Sequence, residues 1–387
     1  MRTGKVGKII MINIKKLKVM TILGTRPEIV RLSRVLPKMD ECFKHVIVYT
    51  KQSYDYELSD IFFEELELRK PDYLLEVKSD TLGGQIANII RQTEDVMIKE
   101  KPNAILILGD TNSGLSTINA RRLKIPIFHM EAGNRSFDWD VPEEVNRRII
   151  DHISDYNLCY TKHAKNYLVN EGIPPQTIFI TGSPLSEVFF YFRKRIENSK
   201  ILDELKLSPQ KYFLVSMHRE ENVDNTDHLN ELFESLKSLA EDYKLPVVVS
   251  LHPRTKKRLE SSSISISPLI KLNSPFGYFD YNKLQKNAHC VLSDSGSIQE
   301  ESAILNFPAV QIRVSTERPE AFDTGSIILA GFNKDMILNA VNLTVSQKEK
   351  GEDLILPEDY KDVNVSTKVA KLILGLTGIK KYHDRKL

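Results

Sequence analysis

The chain has 387 residues, more than a single hydrophobic core usually supports, so two domains of roughly 180 residues each are expected. Its 54 Lys and Arg residues nearly balance its 52 Asp and Glu residues. Proteins that bind nucleic acid or an anionic membrane surface usually carry a basic excess or a basic block, so the charge balance argues against both classes.

Cysteine usage and hydropathy indicate a cytoplasmic protein. Cys42, Cys159 and Cys290 are far apart and stand in apolar stretches, which favours reduced core residues over disulfides or a zinc site. No apolar run approaches the ~20 residues that span a bilayer. The run Ile9–Ile14 is too short for the apolar region of a signal peptide, and residues 1–16 receive no role.

Short apolar runs alternate with amphipathic helical patterns, which is typical of parallel sheets built from βαβ units. The strands predicted in the first half are Val19–Leu23, Val46–Tyr49, Ala104–Leu108, Pro126–Met130, Tyr156–Tyr160 and Ile178–Thr181. Those predicted in the second half are Tyr212–Met217, Pro246–Leu251, Ile270–Leu272, Cys290–Leu292 and Ala309–Ile312. Helices are predicted between them, for example at Leu82–Lys101 and Asp227–Tyr243.

One alternating series ends near Pro184–Ser208 and a second begins after it. We therefore predict an α/β fold of two Rossmann-like, doubly wound domains, residues 1–185 and 186–365, with a central cleft between them. A periodic helix within 366–387 is expected to pack back across the boundary. Ligands of such folds bind beyond the carboxyl ends of the strands and at domain interfaces.

The first strand is followed by Gly24-Thr25-Arg26-Pro27-Glu28. Glycine permits a tight turn, and Arg26 at the start of a helix adds a fixed cation to the helix dipole, a combination that suits a diphosphate. An ordinary βα turn with a surface arginine fits the same residues, and both interpretations stay open.

Carboxylates end two further strands. Asp110, after Leu108-Gly109, is placed either to cap the following helix or to face a substrate. Glu131, in His129-Met130-Glu131-Ala132-Gly133, follows a buried strand, where a carboxylate is costly unless it is paired or functional.

Pro142-Glu143-Glu144-Val145-Asn146-Arg147-Arg148 predicts a helix that starts at Pro142, with Glu143 and Glu144 favoured in its first turn by the helix dipole. The spacing of Glu143 with Arg147, and of Glu144 with Arg148, also fits an exposed face of ion pairs. An exposed face of ion pairs would require no catalytic or binding role for these residues.

The second half carries polar residues at corresponding junctions. His218-Arg219-Glu220-Glu221-Asn222 follows one strand, and His252-Pro253-Arg254 follows the next. Asp294-Ser295-Gly296-Ser297 forms a glycine-containing turn between a strand and a helix. The backbone amides of 295–297, at the start of that helix, are therefore predicted to cradle a phosphate. Glu301 lies further along the same helix. Arg313 and Thr316-Glu317-Arg318-Pro319-Glu320 add further cations.

No G-x-G-x-x-G fingerprint occurs, and no His, Cys and carboxylate cluster has the spacing of metal ligands. We therefore expect an enzyme that uses neither a nicotinamide cofactor nor a metal.

Taken together, the chain closely resembles the non-hydrolysing UDP-N-acetylglucosamine 2-epimerase family from about Lys18 to the last helix. The matching motifs, in family order, are Gly24-Thr25-Arg26-Pro27-Glu28, Gly109-Asp110-Thr111, Glu131-Ala132-Gly133, Pro142-Glu143-Glu144 with Asn146-Arg147, His218-Arg219 with Glu221-Asn222, Asp294-Ser295-Gly296 with Gln299-Glu300-Glu301, and Glu317-Arg318-Pro319-Glu320. The resemblance implies the two-domain fold shared with GT-B glycosyltransferases.

The resemblance also implies an isomerase that inverts C2 of a UDP-activated 2-acetamido sugar, by eliminating UDP to a 2-acetamidoglycal and adding it back. The family's catalytic residues fall on Asp110, Glu131, Glu143 and His218. Its UDP and diphosphate contacts are assigned to Arg26, Arg31, His218, Arg219, Ser295, Gly296, Ser297 and Arg313. Glu301 matches the ribose contact, and Phe276 stands where an aromatic ring packs near uracil. A homodimer is expected.

Several positions depart from the commonest family pattern: Arg31 in place of lysine, Glu220, Ser297 and the stretch Asp362-Val363-Asn364-Val365-Ser366. These departures resemble the branch that converts UDP-2-acetamido-2,6-dideoxy-L-talose to UDP-N-acetyl-L-fucosamine for capsule or O-antigen synthesis, which we take as the first hypothesis. Conversion of UDP-N-acetylglucosamine to UDP-N-acetylmannosamine is the alternative. A GT-B glycosyltransferase, a hydrolysing epimerase and a nucleotide-sugar sensor remain rivals. Three carboxylates at strand ends favour the epimerase over the glycosyltransferase and the sensor, whereas a hydrolysing epimerase would differ by releasing free N-acetylmannosamine and UDP.

Overall fold

The computed structural model describes residues 16–52, 62–217, 219, 224–251, 253–261, 264 and 266–383. Within these ranges the chain forms two parallel β-sheets covered by helices, so the predicted α/β, doubly wound fold is confirmed. His218, Glu220, Glu221, Asn222 and His252 lie outside the described residues.

The first sheet has seven strands in the order β3-β2-β1-β4-β5-β6-β7, and every pairing is parallel. Its strands are β1 (Lys18–Leu23), β2 (Lys44–Tyr49), β3 (Tyr73–Leu74), β4 (Ala104–Leu108), β5 (Ile127–Met130), β6 (Tyr156–Cys159) and β7 (Ile178–Ile180). The helices of this half are α1 (Arg26–Leu32), α2 (Val35–Cys42), α3 (Leu82–Glu100), α4 (Thr117–Arg122), α5 (Pro142–Ile153), α6 (Lys162–Asn170) and α7 (Pro184–Glu197).

The second sheet has six strands in the order β10-β9-β8-β11-β12-β13, again all parallel. Its strands are β8 (Phe213–Met217), β9 (Val247–Leu251), β10 (Ile270–Asn273), β11 (Cys290–Ser293), β12 (Ala309–Gln311) and β13 (Ile328–Leu329). The remaining helices are α8 (Ile201–Glu204), α9 (Thr226–Tyr243), α10 (Pro253–Glu260), α11 (Tyr278–Asn287), α12 (Ile298–Leu305), α13 (Glu320–Asp323), α14 (Lys334–Glu349) and α15 (Val365–His383).

In each sheet the strand order reverses direction at one point, between β1 and β4 in the first and between β8 and β11 in the second. At such a switch point the loops leave the sheet in opposite directions and open a crevice for a ligand. Gly24–Arg26 and Gly109–Asp110 follow the strands of the first switch point, and Arg219 and Asp294–Ser297 follow those of the second. The topology therefore gathers the polar motifs at two facing edges.

The strands are buried between helical layers, which is why their sequences are continuous apolar runs. Val365, Val369 and Ile373 of α15 lie in the core of the first sheet, beside Val19 and Met39. The last helix thus packs on the first half of the chain. The predicted domain limits at 185 and 365 stay a prediction.

All eleven predicted strands are present, with ends that differ by at most two residues. β3 and β13 were missed because two residues cannot produce an alternating or apolar pattern that stands out from a loop. No helix among the described residues is long and apolar enough to cross a membrane.

Candidate active site

A cleft of about 1050 Å³ lies between the carboxyl ends of the two sheets. Twelve of the predicted site residues line it: Arg26, Arg31, Asp110, Glu131, Glu143, Arg219, Phe276, Ser295, Gly296, Ser297, Glu301 and Arg313. His218, the remaining one, lies outside the described residues. Residues that are far apart in the chain are therefore brought to one cavity, although their individual roles stay predictions.

Glu131 stands directly after β5 with a left-handed backbone (φ 62°), a conformation that side-chain-bearing residues seldom adopt. Its carboxylate binds the guanidinium of Arg318 and lies 3.6 Å from Nε of Arg31. Burial by itself would raise the pKa of Glu131, but Arg31 and Arg318 outweigh burial and hold that pKa below its usual value. Glu131 is therefore an ionised carboxylate inside the cleft.

Asp110 lies on the same edge of the sheet, but its pKa is shifted in the opposite direction. Its Oδ2 accepts a hydrogen bond of 3.0 Å from Nε of Arg147, and Nη2 of Arg147 also contacts it. Burial raises the pKa of Asp110 above its usual value even though Arg147 opposes the rise, and the charges of Glu131 and Glu143 add to it. Two neighbouring carboxyl groups whose pKa values move apart are suited to act as base and acid.

Glu143 is exposed in the first turn of α5, whereas Arg147, one turn later, is only 4% exposed. Arg147 binds Asp110 and Glu144, with an Nη1–Oε2 distance of 2.6 Å to the latter. The exposed face of ion pairs that the spacing suggested is therefore wrong for Arg147. It is correct in part for Arg148, which pairs with Glu144 at 3.1 Å.

The turn that opens α1 is organised by Glu28. Its Oε2 accepts hydrogen bonds from the backbone N–H groups of Gly24 (3.0 Å) and Thr25 (2.8 Å) and forms a capping box with Thr25. Oε1 lies 3.3 Å from the hydroxyl of Thr111, the residue after Asp110. Burial raises the pKa of Glu28 to about 7 despite these hydrogen bonds. This cap fixes the position from which Arg26 faces the cleft.

At the facing edge, Arg219 donates from its backbone N–H to Asp294 (2.9 Å) and from Nε to the carbonyl of Asp294 (3.1 Å). Arg313 pairs with Glu317 at 3.3 Å. A side chain at Gly296 would place its Cβ 2.3 Å from Oε1 of Glu317, so it would displace the carboxylate that pairs with Arg313. The cations of this half are thus held in place by protein carboxylate and carbonyl groups.

Hydrogen bonds to serine hydroxyl groups stabilise the turn 295–297. The N–H of Ser295 donates to Oγ of Ser293 (3.1 Å), and the N–H of Ser297 donates to Oγ of Ser295 (3.3 Å). α12 begins at the next residue, and Glu301 in its first turn accepts from Nε2 of Gln285 at 2.6 Å. Glu301 therefore has a fixed orientation toward the cleft.

Several charged residues in or beside the cleft were not selected from the sequence as site residues, namely Glu28, Arg147, Glu300, Glu317 and Arg318. From the sequence, Arg318 is predicted only as a further cation, Glu317 only as part of the same family motif, and Glu300 only as part of another motif. Glu300 is fully buried and binds Arg31 (2.9 Å), Arg318 and the hydroxyl of Ser183 (3.1 Å). Arg31 of the first half and Glu300 of the second thus form an ion pair across the cleft. The high density of charged residues in both motifs was the sequence feature that could have indicated these site residues.

Within the part of the chain that the structure describes, no group of three His, Cys, Asp or Glu side chains is placed to hold a metal ion.

The sequence profile of the UDP-N-acetylglucosamine 2-epimerase family matches residues 37–374. The chain belongs to this family. The predicted family and reaction class, an isomerase, are therefore confirmed. The L-fucosamine branch receives no specific support from the family match.

Three relatives are similar over nearly the whole chain. The structure of the UDP-N-acetylglucosamine 2-epimerase from Rickettsia bellii has 45% identity and a TM-score of 0.87, and the match covers 94% of this chain and 98% of that one. The Methanocaldococcus jannaschii enzyme, solved in complex with UDP-GlcNAc and UDP, has 36% identity and a TM-score of 0.86, covering 92% and 99%. The UDP-2,3-diacetamido-2,3-dideoxy-D-glucuronate 2-epimerase of Pseudomonas aeruginosa is 32% identical, covering 92% of this chain and 100% of that protein.

A glycosyltransferase structure from Rickettsia africae has a TM-score of 0.58 at 11% identity, covering 94% of this chain and all of that one. At this identity the likeness concerns the fold alone. It agrees with the predicted GT-B-like arrangement.

Proposed function

We propose that this epimerase inverts C2 of a UDP-activated 2-acetamido sugar by eliminating UDP and adding it back. The observation that carries the proposal is the pair of neighbouring carboxyl groups with opposite pKa shifts, Glu131 lowered and Asp110 raised, inside one cleft. Inversion needs a base on one face of C2 and an acid on the other, and this pair supplies both.

In the first stage the ionised carboxylate of Glu131 removes the C2 proton. The C–H electrons form the C1–C2 double bond while the C1–O bond breaks, and its electrons leave with the β-phosphate oxygen of UDP. The products are a 2-acetamidoglycal and UDP. In the second stage Asp110 gives its proton to the opposite face of C2, and the UDP oxygen bonds to C1 again. The reverse reaction exchanges the two roles.

The departing diphosphate needs fixed cations, since charge develops on its oxygen as the bond to C1 breaks. Arg26 from the first half and Arg219 and Arg313 from the second line the same cleft and are proposed to hold it. Glu143, exposed at the start of α5, is proposed as a third carboxylate near the sugar. Glu301 and Phe276 are proposed to contact the ribose and the uracil.

For the sugar, we propose UDP-N-acetylglucosamine first, because relatives with 36–45% identity carry that substrate in their names. The second candidate is UDP-2-acetamido-2,6-dideoxy-L-talose, the first hypothesis from the sequence. Two of its supporting features have structural roles that do not depend on the sugar. Arg31 pairs with Glu300 and Glu131, and Asp362 of the altered tail pairs with Lys368 at 2.6 Å.

The reaction is tested in D₂O with substrate whose bridging C1 oxygen carries ¹⁸O. We expect deuterium at C2 of the epimerised product, and ¹⁸O scrambled between bridging and non-bridging positions of the β-phosphate. A hydrolysing epimerase would release free sugar and UDP, and a glycosyltransferase would leave C2 unlabelled without an acceptor. Either result would overturn the proposal.

The sugar is tested by comparing kcat/KM for the two substrates in one NMR assay. A larger value for UDP-N-acetylglucosamine supports the first candidate, and a larger value for the L-talose derivative supports the second and the predicted role in capsule or O-antigen synthesis. Assembly as a homodimer and a cytoplasmic location are retained as proposals. The molecular mass of the purified protein in light scattering tests the first of them.

A further inference from the structure

A buried histidine lies directly behind the two carboxylates. His129 of β5 is fully buried and does not line the cleft. Its Nε2 lies 2.8 Å from the carbonyl oxygen of Gly109, the residue before Asp110. Glu131 follows His129 by two positions, so one imidazole joins the turn that carries Asp110 to the strand that carries Glu131.

The other ring nitrogen, Nδ1, lies 2.8 Å from Oδ1 of Asp151 on α5, as an ion pair rather than a well-directed hydrogen bond. The same carboxylate accepts from the backbone N–H of Gly133 at 3.2 Å and from Nη1 of Arg135 at 2.7 Å. Gly133 closes the turn that begins at Glu131. Asp151 and His129 thus bind both ends of the short segment that presents Glu131.

Both ring nitrogens of His129 face oxygen atoms, the carbonyl oxygen of Gly109 at Nε2 and a carboxylate oxygen of Asp151 at Nδ1, so the ring is held between two acceptors. Burial would raise the pKa of Asp151, but the contact with His129 and the hydrogen bond from Arg135 hold it below its usual value. Arg135 and Asp151 form a fully buried pair of opposite charges, which is a rigid contact because separating it leaves both charges unpaired.

The two turns need such support because their backbones are unusual. Gly109, Glu131 and Gly133 all have positive φ angles, of 72°, 62° and 84°. Glu131 is sterically strained in this conformation, whereas glycine is not. A residue keeps such a conformation only where surrounding contacts impose it.

We propose that His129 and Asp151 are positioning residues that fix the distance between the carboxylates of Asp110 and Glu131, without touching the substrate. The inference rests on the proposed epimerisation, in which one carboxylate must reach each face of C2. A displacement of about 1 Å in such a group lowers turnover by about a hundredfold.

The test compares His129→Phe, which removes both contacts, with His129→Gln, whose amide retains a donor toward the carbonyl of Gly109. We expect His129→Phe to lower kcat about a hundredfold while the Kd for UDP, measured by calorimetry, changes less than about threefold. His129→Gln is expected to recover most of the loss. The primary isotope effect on kcat with C2-deuterated substrate is expected to rise in His129→Phe, because proton removal becomes slower.

His45 supplies a matched control. It is also a buried histidine that pairs with a carboxylate, Asp40, through Nδ1 at 2.8 Å, and with Oγ1 of Thr21 through Nε2 at 2.8 Å, but it does not line the cleft. His45→Phe is expected to lower thermal stability and to leave the isotope effect unchanged. If His45→Phe and His129→Phe lose turnover alike, or if UDP affinity falls together with kcat, the positioning role is wrong.

If His129→Phe does not fold, Asp151→Asn decides the same question, with the same split between kcat and UDP affinity expected and normal kcat overturning the proposal. Wild-type enzyme measured beside the variants distinguishes failure of the proposed reaction from failure of the proposed role of His129. Wild-type enzyme that incorporates no deuterium at C2 refutes the proposed reaction. Active wild-type with fully active His129→Phe refutes only the role of His129.

Discussion

Arg147 and Asp110 form a partly buried ion pair in which Nε of the arginine lies 3.0 Å from Oδ2 of the aspartate. The arginine comes from helix α5 and the aspartate from the end of β4, so the pair ties the helix that carries Glu143 to the strand edge that carries Asp110. One guanidinium therefore joins the carboxyl group of Asp110 to that of Glu144.

Replacing either central carboxylate is expected to stop the chemistry and spare binding. Glu131→Gln and Asp110→Asn should each lower kcat by at least about a hundredfold, since acid–base groups typically contribute 10²–10⁴ in rate. The Kd for UDP should stay within about threefold, because the proposed cations are retained. Asp95→Asn, an exposed change on α3, is the control for loss of one negative charge. Near-normal turnover in both variants would place the acid and base elsewhere.

Removing Arg147 is expected to change the pH dependence of turnover. Arg147 lowers the pKa of Asp110, so in Arg147→Met that pKa rises further. If Asp110 is the acid, it keeps its proton to higher pH, and the alkaline limb of kcat should move upward by about one pH unit. Arg148→Met changes the next residue of the same helix, which pairs with Glu144 and Glu171 instead. An alkaline limb that stays in place in Arg147→Met would contradict the assignment of Asp110.

Glu317 should stabilise the fold at neutral pH and lose this effect in acid. Burial opposes ionisation, but Arg313, Arg318, Arg219 and Arg147 lower its pKa from 4.5 to about 2. Since the folded state holds the proton less tightly than the unfolded state, the stabilisation is complete above pH 4.5 and is lost as the pH falls toward 2. Its upper bound is about 3 kcal/mol.

The measurement is urea unfolding of wild-type and Glu317→Gln between pH 7 and pH 3. We expect the wild-type advantage in the free energy of unfolding to be constant down to about pH 4.5, and to fall by roughly half near pH 3. Glu352→Gln, an exposed change, serves as the control. An advantage that is independent of pH would show that the charge of Glu317 contributes nothing to stability.

Activity is expected to survive removal of metals and to need no added NAD. The proposed steps use protein carboxyl groups and arginines, so neither a Lewis acid nor a hydride carrier takes part. The check is turnover of dialysed enzyme with and without EDTA, and with added NAD. Activity that EDTA abolishes and a divalent metal restores would contradict this expectation.

The sequence by itself determined eleven of the thirteen described strands, their parallel arrangement and the family, because these depend on local order. A buried parallel strand reads as an apolar run, and the loop after it carries the polar residues, as at Gly24–Glu28 and Gly109–Thr111. Since all parallel strands end at one edge, the sequence also predicted that these loops meet. Motif order along the chain, which involves no tertiary contact, was enough to recognise the family.

Only the tertiary structure decided which charges touch. Arg147 reaches Asp110 across 37 residues, Arg318 reaches Glu131 across 187 and Arg31 reaches Glu300 across 269. Spacing within α5 had suggested that Arg147 belongs to an exposed face, and nothing local indicated that the ring of His129 contacts the carbonyl of Gly109. The opposite pKa shifts of Glu131 and Asp110 follow from these pairings. A pKa depends on burial and on charges within a few ångströms, and those are properties of the folded chain alone.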